Sequence, residues 1–506
     1  MPGRHRSSPF TTALTVAVAL MTAACGSNLS RQEQLAVNGS VAGDGLTSQA
    51  ATTPGATAQG PAATVAAGGG TGSATSGAGG GGGGKDGGPG TPGGLLRVGA
   101  GVQGVTDAVM KVGLYTADGA TGATVINGIT GTNAVSAQDL AKINKTMIDH
   151  INATGGVAGR KVEVVSHFSD YNQWLTASGR QSEHQRMCSA WTEDTKVFTI
   201  LGVGMMDDVI TDCAARAKVP IVFSAYHPPT AQRRVAAMRD YWYSVDGFVS
   251  DTREQALGKF LLRHGFFDPG AKVGLMIEDT PGVREGVERG LKPVLAAAGV
   301  DVETEIKYPD ILSSPWSNYI LQFQGDQVTH VLFSGSLGGE YAAFLTMKAA
   351  EDQQYQPKWA VASDNNPSDL YPAGTPERQL ANTWGMGWNT MRDIGDSAPP
   401  VSANDRTCRE LLRKTGQQPA SEWGRAVCTV LQFLQAAFAQ ANEVSAAGLA
   451  GGVGRLGDSF ASVFTLDGAT RFAPGRHEGA VTGRLLRWDA ATDRFRYTTP
   501  TERLVE

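Results

Sequence analysis

From about residue 108 onward, short apolar runs alternate with amphipathic helical stretches, and the alternation runs through twice. Strands separated by helices imply βαβ units and a parallel sheet covered by helices on both faces. In the first round the strands fall at residues 110–115, 162–165, 197–203 and 219–223. Ser136 is placed to cap a helix whose Leu140, Ile143, Met147 and Ile151 recur at helical spacing. Gly155 and Gly156 end it. A second round opens with a helix capped by Ser250, and its strands fall at 272–277, 302–308, 330–334 and 359–362. After Trp384 come a strand near 385–388, two helices, and a closing antiparallel pair at 484–488 and 495–497. These late elements are too few for a third domain. They are read as additions to the two earlier sheets, so that the chain crosses between two α/β lobes about three times.

The N-terminal part has a different character. Arg4, His5 and Arg6 precede an apolar stretch from Thr11 to Met21, followed by Thr22, Ala23, Ala24 and Cys25. A basic start, a short apolar core and small residues before a cysteine read as a secretory signal over residues 1–24. The segment resembles a bacterial lipobox, with Cys25 as the lipidated residue, although Thr22 stands where a leucine is usual. Two or more acyl chains would hold such a protein stably to the membrane surface. The 65 glycines are unevenly spread: 25 of them lie between Cys25 and residue 108, including the unbroken run from Gly79 to Gly84. Residues 25–108 are therefore read as a linker too poor in apolar side chains to offset the entropy of ordering. A coil of about 70 residues spans roughly 45 Å.

No further stretch reaches the ~18 apolar residues of a membrane span. A net charge of -5 argues against a nucleic-acid partner. Beyond Cys25, the four cysteines Cys188, Cys213, Cys408 and Cys428 make an even set in an exported chain and read as two disulfides. Three pairings exist, and the two local ones, Cys188–Cys213 and Cys408–Cys428, are the simplest. Gly99, Gly101 and Gly104 fit a G-x-G-x-x-G pattern, but a strand follows too soon for the helix that a dinucleotide site requires. No nucleophile elbow, zinc-protease motif or metal-spaced histidine cluster occurs, so neither an enzyme nor a cofactor is implied.

Three stretches carry a family resemblance. Ile151-Asn152-Ala153-Thr154-Gly155-Gly156-Val157-Ala158-Gly159-Arg160-Lys161 resembles the I-N-x-x-G-G-x-x-G-R-K segment of type I periplasmic binding proteins, in the leucine/isoleucine/valine-binding branch. Lys111-Val112-Gly113-Leu114 is similar to that family's opening strand, and Lys358-Trp359 through Ser363-Asp364 to its strand after a Tyr-x-Pro segment, here Tyr355-Gln356-Pro357. The resemblance implies two doubly wound parallel-sheet lobes joined by three hinge crossovers and closing on a small solute. It places the crossovers near residues 244–247, 385–389 and 447–452, with lobe 1 formed by 109–245 plus 388–449 and lobe 2 by 246–387 plus 450–506. The family's frequent first-lobe disulfide matches Cys188–Cys213.

In open α/β sheets, ligands sit beyond the carboxyl ends of the strands, where helix N-termini offer free N–H groups. This rule selects Gly202, Gly204, Met205, Ser224 and Tyr226 in the first lobe, and Asp279, Thr280, Ser336 and Asp364 in the second. Trp388 and Tyr226 are placed to stack on an apolar part of the ligand. Met205 and Met206 stand where amino-acid-binding relatives carry Ser or Thr, which argues for a larger or more apolar ligand. The function expected is the binding component of an ABC importer, with a permease as partner, acting as a monomer on the outer face of the membrane. Extracellular sensing with the same fold is the alternative.

Overall fold

The computed structural model describes residues 95–118, 136–170, 176–204, 206–311, 313–335, 339–395, 398–416 and 421–505. Cys25 and the glycine-rich run lie outside the described residues, as do Met205 and Ser336.

The first lobe is built on a five-stranded parallel sheet of order β2-β1-β3-β4-β5. Its strands are β1 (Val109–Asp118), β2 (Lys161–Asp170), β3 (Thr199–Gly202), β4 (Ile221–Phe223) and β5 (Trp242–Ser244). The connecting helices are α1 (Ala137–Ala153), α2 (Ala177–Ser189), α3 (Asp208–Arg216) and α4 (Gln232–Met238). Ser136 caps α1 by accepting from the Asp139 amide at 3.1 Å, and the stripe Leu140, Ile143, Met147 and Ile151 is buried.

The I-N-x-x-G-G-x-x-G-R-K segment is the turn from α1 into β2. Gly156 has φ +69°, and a Cβ there would lie 1.9 Å from the Arg160 carbonyl oxygen, so only glycine fits. Asn152 brackets Val162 from both sides: its Oδ1 accepts from the Val162 amide at 2.7 Å, and its Nδ2 donates to the Val162 carbonyl at 3.1 Å. The motif thus fixes the turn from α1 into β2.

In the second lobe α5 (Ser250–Arg263) leads into β6 (Lys272–Glu278). Next come α6 (Pro281–Gly286), α7 (Lys292–Ala297), β7 (Asp301–Tyr308), α8 (Trp316–Gly325), β8 (His330–Ser334), α9 (Gly339–Asp352) and β9 (Lys358–Ala362). Two short helices, α10 (Pro367–Leu370) and α11 (Glu377–Ala381), precede β10 (Thr383–Gly387). The sheet order is β12-β11-β10-β9-β8-β6-β7, where β11 (Thr482–Asp489) and β12 (Arg494–Tyr497) come from the end of the chain and β13 (Glu502–Arg503) pairs with β11. β10, β11 and β12 pair antiparallel, while β7, β6, β8, β9 and β10 run parallel. Side chains alternate between two buried layers: Leu332 and Ala360 pack on one face, Val331, Phe333 and Trp359 on the other. Burial of both faces explains why these strands read as continuous apolar runs.

After β10 the chain forms α12 (Thr390–Ile394), still packed on the second lobe, although residues 388–449 were expected in the first. It then returns to the first lobe with α13 (Ala403–Thr415), α14 (Glu422–Ala439) and α15 (Ala446–Leu456). The disulfides Cys188–Cys213 and Cys408–Cys428 both form, with Cα separations of 6.1 and 5.9 Å.

Three expectations need correction. First, residues 95–108 are not linker. Val98 bridges Val444, the Gly99 amide donates to the Val444 carbonyl at 3.0 Å, and Arg160 Nη2 donates to the Leu96 carbonyl at 2.9 Å. Gly104, the last glycine of the G-x-G-x-x-G match, lies where a Cβ would stand 2.3 Å from the Phe198 amide nitrogen. Second, the lobe boundary near residue 450 falls too early. Leu449, Val453, Phe460, Phe464 and Phe472 all pack in the core that holds Met110 and Leu114. The third crossover therefore runs through Glu478, whose neighbour Gly479 donates from its amide to the Ser244 carbonyl at 2.9 Å. Residues 447–452 sit inside α15 instead. Third, Ser250 is the first residue of α5, and its cap position is Val249.

Candidate ligand cleft

The carboxyl ends of both parallel sheets look toward the segments that join the lobes. In the first lobe Gly204 follows β3 with φ +89°. A Cβ at Gly204 would stand 2.8 Å from the Tyr115 ring and 2.9 Å from the Trp423 ring, so the glycine lets the backbone lie against both aromatics. The two rings are tilted at 5.9 Å between centroids, and Trp423 Nε1 donates to Asn144 Oδ1 at 3.0 Å. Gly202 has a packing role, since a Cβ there would meet the Phe223 ring at 2.4 Å.

Ser224 and Tyr226 diverge in role. Ser224 is fully buried and its Oγ donates to Asp246 Oδ2 at 2.6 Å. Asp246 Oδ1 accepts from the Ala225 amide at 2.9 Å and lies 3.1 Å from His227 Nε2. The serine thus ties β4 to the first crossover. Tyr226 is only partly buried. Its hydroxyl donates to Glu422 Oε2 at 2.8 Å, and the Arg392 guanidinium lies over its ring, 4.7 Å from the centroid. Arg392 Nε completes the triangle with Glu422 Oε1 at 2.7 Å. Arg392 belongs to α12, packed on α10 and β12 of the second lobe, whereas Tyr226 and Glu422 belong to the first. Asn389 aims α12 by accepting from the amides of Met391 at 3.2 Å and Arg392 at 3.3 Å.

Asp369, on α10, is bound by Asn366 Nδ2 at 2.8 Å. Burial, reinforced by the charge of Glu422, pushes its carboxyl up to about 6, against the pull of Ser368, Arg392 and Asn366.

In the second lobe Asp364 stands at the end of β9, where Arg253 Nη1 reaches it at 2.7 Å. The same nitrogen donates to the Gly335 carbonyl at 3.2 Å, and the other arm pairs with Glu254 Oε1 at 2.5 Å. Ser334 Oγ donates to Glu254 Oε2 at 3.0 Å. Burial raises the Glu254 carboxyl even though Arg253 opposes it. Asp279 pairs instead with Arg284 and is exposed. Thr280 opens α6 without a side-chain cap bond, and its Oγ1 is buried with no hydrogen-bond partner. Gly282 comes so close to the first lobe that a Cβ would stand 1.3 Å from the Pro229 carbonyl oxygen.

Trp388 was placed by its sequence context over the ligand. Instead it is 1% exposed, packs edge-on against Phe248 at 5.2 Å, and donates from its amide to Ser363 Oγ at 2.8 Å. It is part of the hinge core. The structure therefore brings Gly204 and Tyr226 together with Glu422, Trp423 and Arg392, and in the second lobe sets Thr280 and Asp364 at strand ends. Sequence reasoning missed Arg392, Glu422, Asp369 and Arg253. The only local hint was that Trp423 opens an amphipathic helix with its acidic neighbour first. Among the described residues no group of His, Cys, Asp and Glu is arranged to hold a metal ion, and no helix is long and apolar enough to cross a membrane.

Two parallel-sheet lobes, three crossovers and a polar-aromatic seam between them define a two-lobed α/β binding protein. The chain belongs to the periplasmic binding protein family, whose model matches residues 123–493. Solved structures with the same fold include the Rhodopseudomonas palustris ABC transporter solute-binding protein in complex with 3,4-dihydroxybenzoic acid, at 16% identity and a TM-score of 0.55, covering 79% of this chain and 98% of that one. A Thermus thermophilus branched-chain amino-acid ABC transporter protein with bound valine aligns at 15% identity and a TM-score of 0.57, covering 78% and 97%. A fatty acid ABC transporter substrate-binding protein from Thermomonospora curvata aligns at 15% identity and 0.54, covering 80% and 95%. No curated protein matches this chain. The family is one of solute-binding proteins, and periplasmic binding proteins act outside the cytoplasm.

Proposed function

We propose that this protein is the extracytoplasmic solute-binding component of an ABC importer, closing its lobes on an amino acid, an amide or a related carboxylate. The observation that carries the reading is the seam formed by Arg392 of the second lobe with Tyr226 and Glu422 of the first. It supplies a cation, an aromatic face and a carboxylate between the lobes, and in the second lobe the Thr280 hydroxyl is buried and unmet after β6. Such a mixed lining suits a small molecule with a charged head and an apolar body. The ligands named for the solved relatives, 3,4-dihydroxybenzoic acid, valine and a fatty acid, all carry a carboxylate. Lipid on Cys25 would hold the protein to the outer face of the membrane, the glycine-rich linker would set its reach, and a permease would receive the solute. Two disulfides suit an oxidising compartment. Because each chain carries a complete clamp, we take the monomer as the acting form.

The test is thermal unfolding of the purified chain against amino acids, amides, short peptides, aromatic carboxylates, fatty acids and sugars. A ligand at one hundred times its dissociation constant stabilises the folded state by about 2.7 kcal/mol, raising the midpoint by about 3 °C. The expected result is a shift from one chemical class, reduced in Tyr226→Phe and Thr280→Val. A shift undiminished in both variants would place the ligand elsewhere, and no shift from any class would count against a solute-binding role.

A further inference from the structure

On the first lobe a cavity of about 310 Å³ opens between β5, α15 and the approach to the third crossover. Its walls include Tyr243, Ala450, Val453 and His477, and Arg239, Asp240 and Arg476 also line it. Tyr243 is 1% exposed, its ring lies 5.3 Å from that of His477, and its hydroxyl is buried without a hydrogen-bond partner. A buried donor left unmet is rare in folded proteins and calls for an explanation, an absent ligand group among them. Burial pushes the phenol well above its ordinary value, with Asp240 adding to the shift, so it is a donor at any working pH. Burial likewise lowers His477, which Trp242 partly offsets by offering its carbonyl 3.1 Å from Nδ1. Arg239 and Arg476 bring guanidinium groups to the lining beside Asp240, and Arg476 also feels Glu478 and Asp458.

We infer that this cavity is a second small-molecule site, taking a compact organic anion whose acceptor meets the Tyr243 hydroxyl and whose apolar body lies against Ala450, Val453 and the two rings. The site touches two crossovers. Tyr243 immediately precedes Ser244, whose amide donates to the His477 carbonyl at 2.8 Å. Arg476 holds the carbonyls of Glu478 at 3.2 Å and Ala480 at 3.1 Å. An occupant therefore bears on the segments about which the lobes move, and its affinity is linked to that of the cleft ligand in both directions.

The test is equilibrium dialysis of the full chain with radiolabelled benzoate and octanoate, using benzamide as an uncharged competitor. The variants are Ala450→Trp, which fills the cavity from a partly exposed helix position, Tyr243→Phe, and Arg392→Ala as the cleft control. Thermal midpoints confirm that each variant is folded. We expect saturable binding that weakens at least ~10-fold in Ala450→Trp and about 5-fold in Tyr243→Phe. We also expect poor competition by benzamide, and in Arg392→Ala a change smaller than in either cavity variant, since the parted lobes act on this site only through the crossovers. Binding that persists unchanged in Ala450→Trp and Tyr243→Phe, or that is lost in Arg392→Ala alone, would overturn the site, as would no binding of either probe below ~10 mM.

Discussion

Arg392 Nε lies 2.7 Å from Glu422 Oε1, and this pair joins two lobes whose strands are otherwise separate sheets. Its side chains are only 6% and 15% exposed, so the pair is shielded from salt far more than a surface bridge. Removing one partner strands the other. Arg392→Ala is expected to destabilise the chain by about 3 kcal/mol, read as a lower urea midpoint. Small-angle scattering should show a larger radius of gyration as the lobes part. The double variant with Glu422→Gln should recover part of the loss, because neither charge is then left alone.

Gly282 fixes how closely α6 of the second lobe approaches Pro229 of the first. A methyl group there would overlap the Pro229 carbonyl, and backbone cannot yield as a flexible side chain does. Gly282→Ala is expected to hold the lobes apart and weaken cleft binding at least ~10-fold. Far-ultraviolet circular dichroism should remain unchanged. Unchanged affinity would mean that this contact has no part in closure.

Asp393 should make stability depend on pH. It is fully buried, accepts from the Tyr497 hydroxyl at 2.7 Å, and is pushed up to about 8, chiefly by burial, with Tyr497, Ser363 and the Asn389 backbone opposing. The folded chain thus keeps a proton that the unfolded chain releases in the ordinary carboxylate range. Its stabilising effect is complete below that range and falls as pH climbs toward about 8, beyond which it is flat. Asp369 at about 6 and Glu478 at about 7, both raised mainly by burial, push the same way. Urea midpoints at pH 5 and pH 8 test this: the parent chain should be weaker at the higher pH, and Asp393→Asn should narrow the gap.

The disulfide between Cys408 and Cys428 links α13 to α14 across a sequence separation of 20. A loop of that length implies about 3 kcal/mol of stabilisation through the unfolded chain. Replacing both cysteines by alanine should lower the melting midpoint by several degrees, while a reducing agent should have a further effect only through Cys188–Cys213.

The alternation of apolar runs and amphipathic helices by itself determined the two α/β lobes, because strands buried on both faces and helices buried on one leave different periodicities. Local chemistry was equally legible: the Ser136 cap, the glycines from Gly155 to Gly159, and the two short cysteine pairings all act within a few turns of chain. What required the tertiary structure was every relation between distant segments. Ser224 looked like a ligand contact until Asp246 was seen beneath it, and Trp388 looked like a lid until Phe248 was seen across it. The boundary near residue 450 failed because an apolar helix face does not declare which core it fills, and α15 joins the first. Arg392, Tyr226 and Glu422 stand far apart in the chain and share no motif. Only the packing of α12 against one lobe and α14 against the other brings a cation, a phenol and a carboxylate to one place.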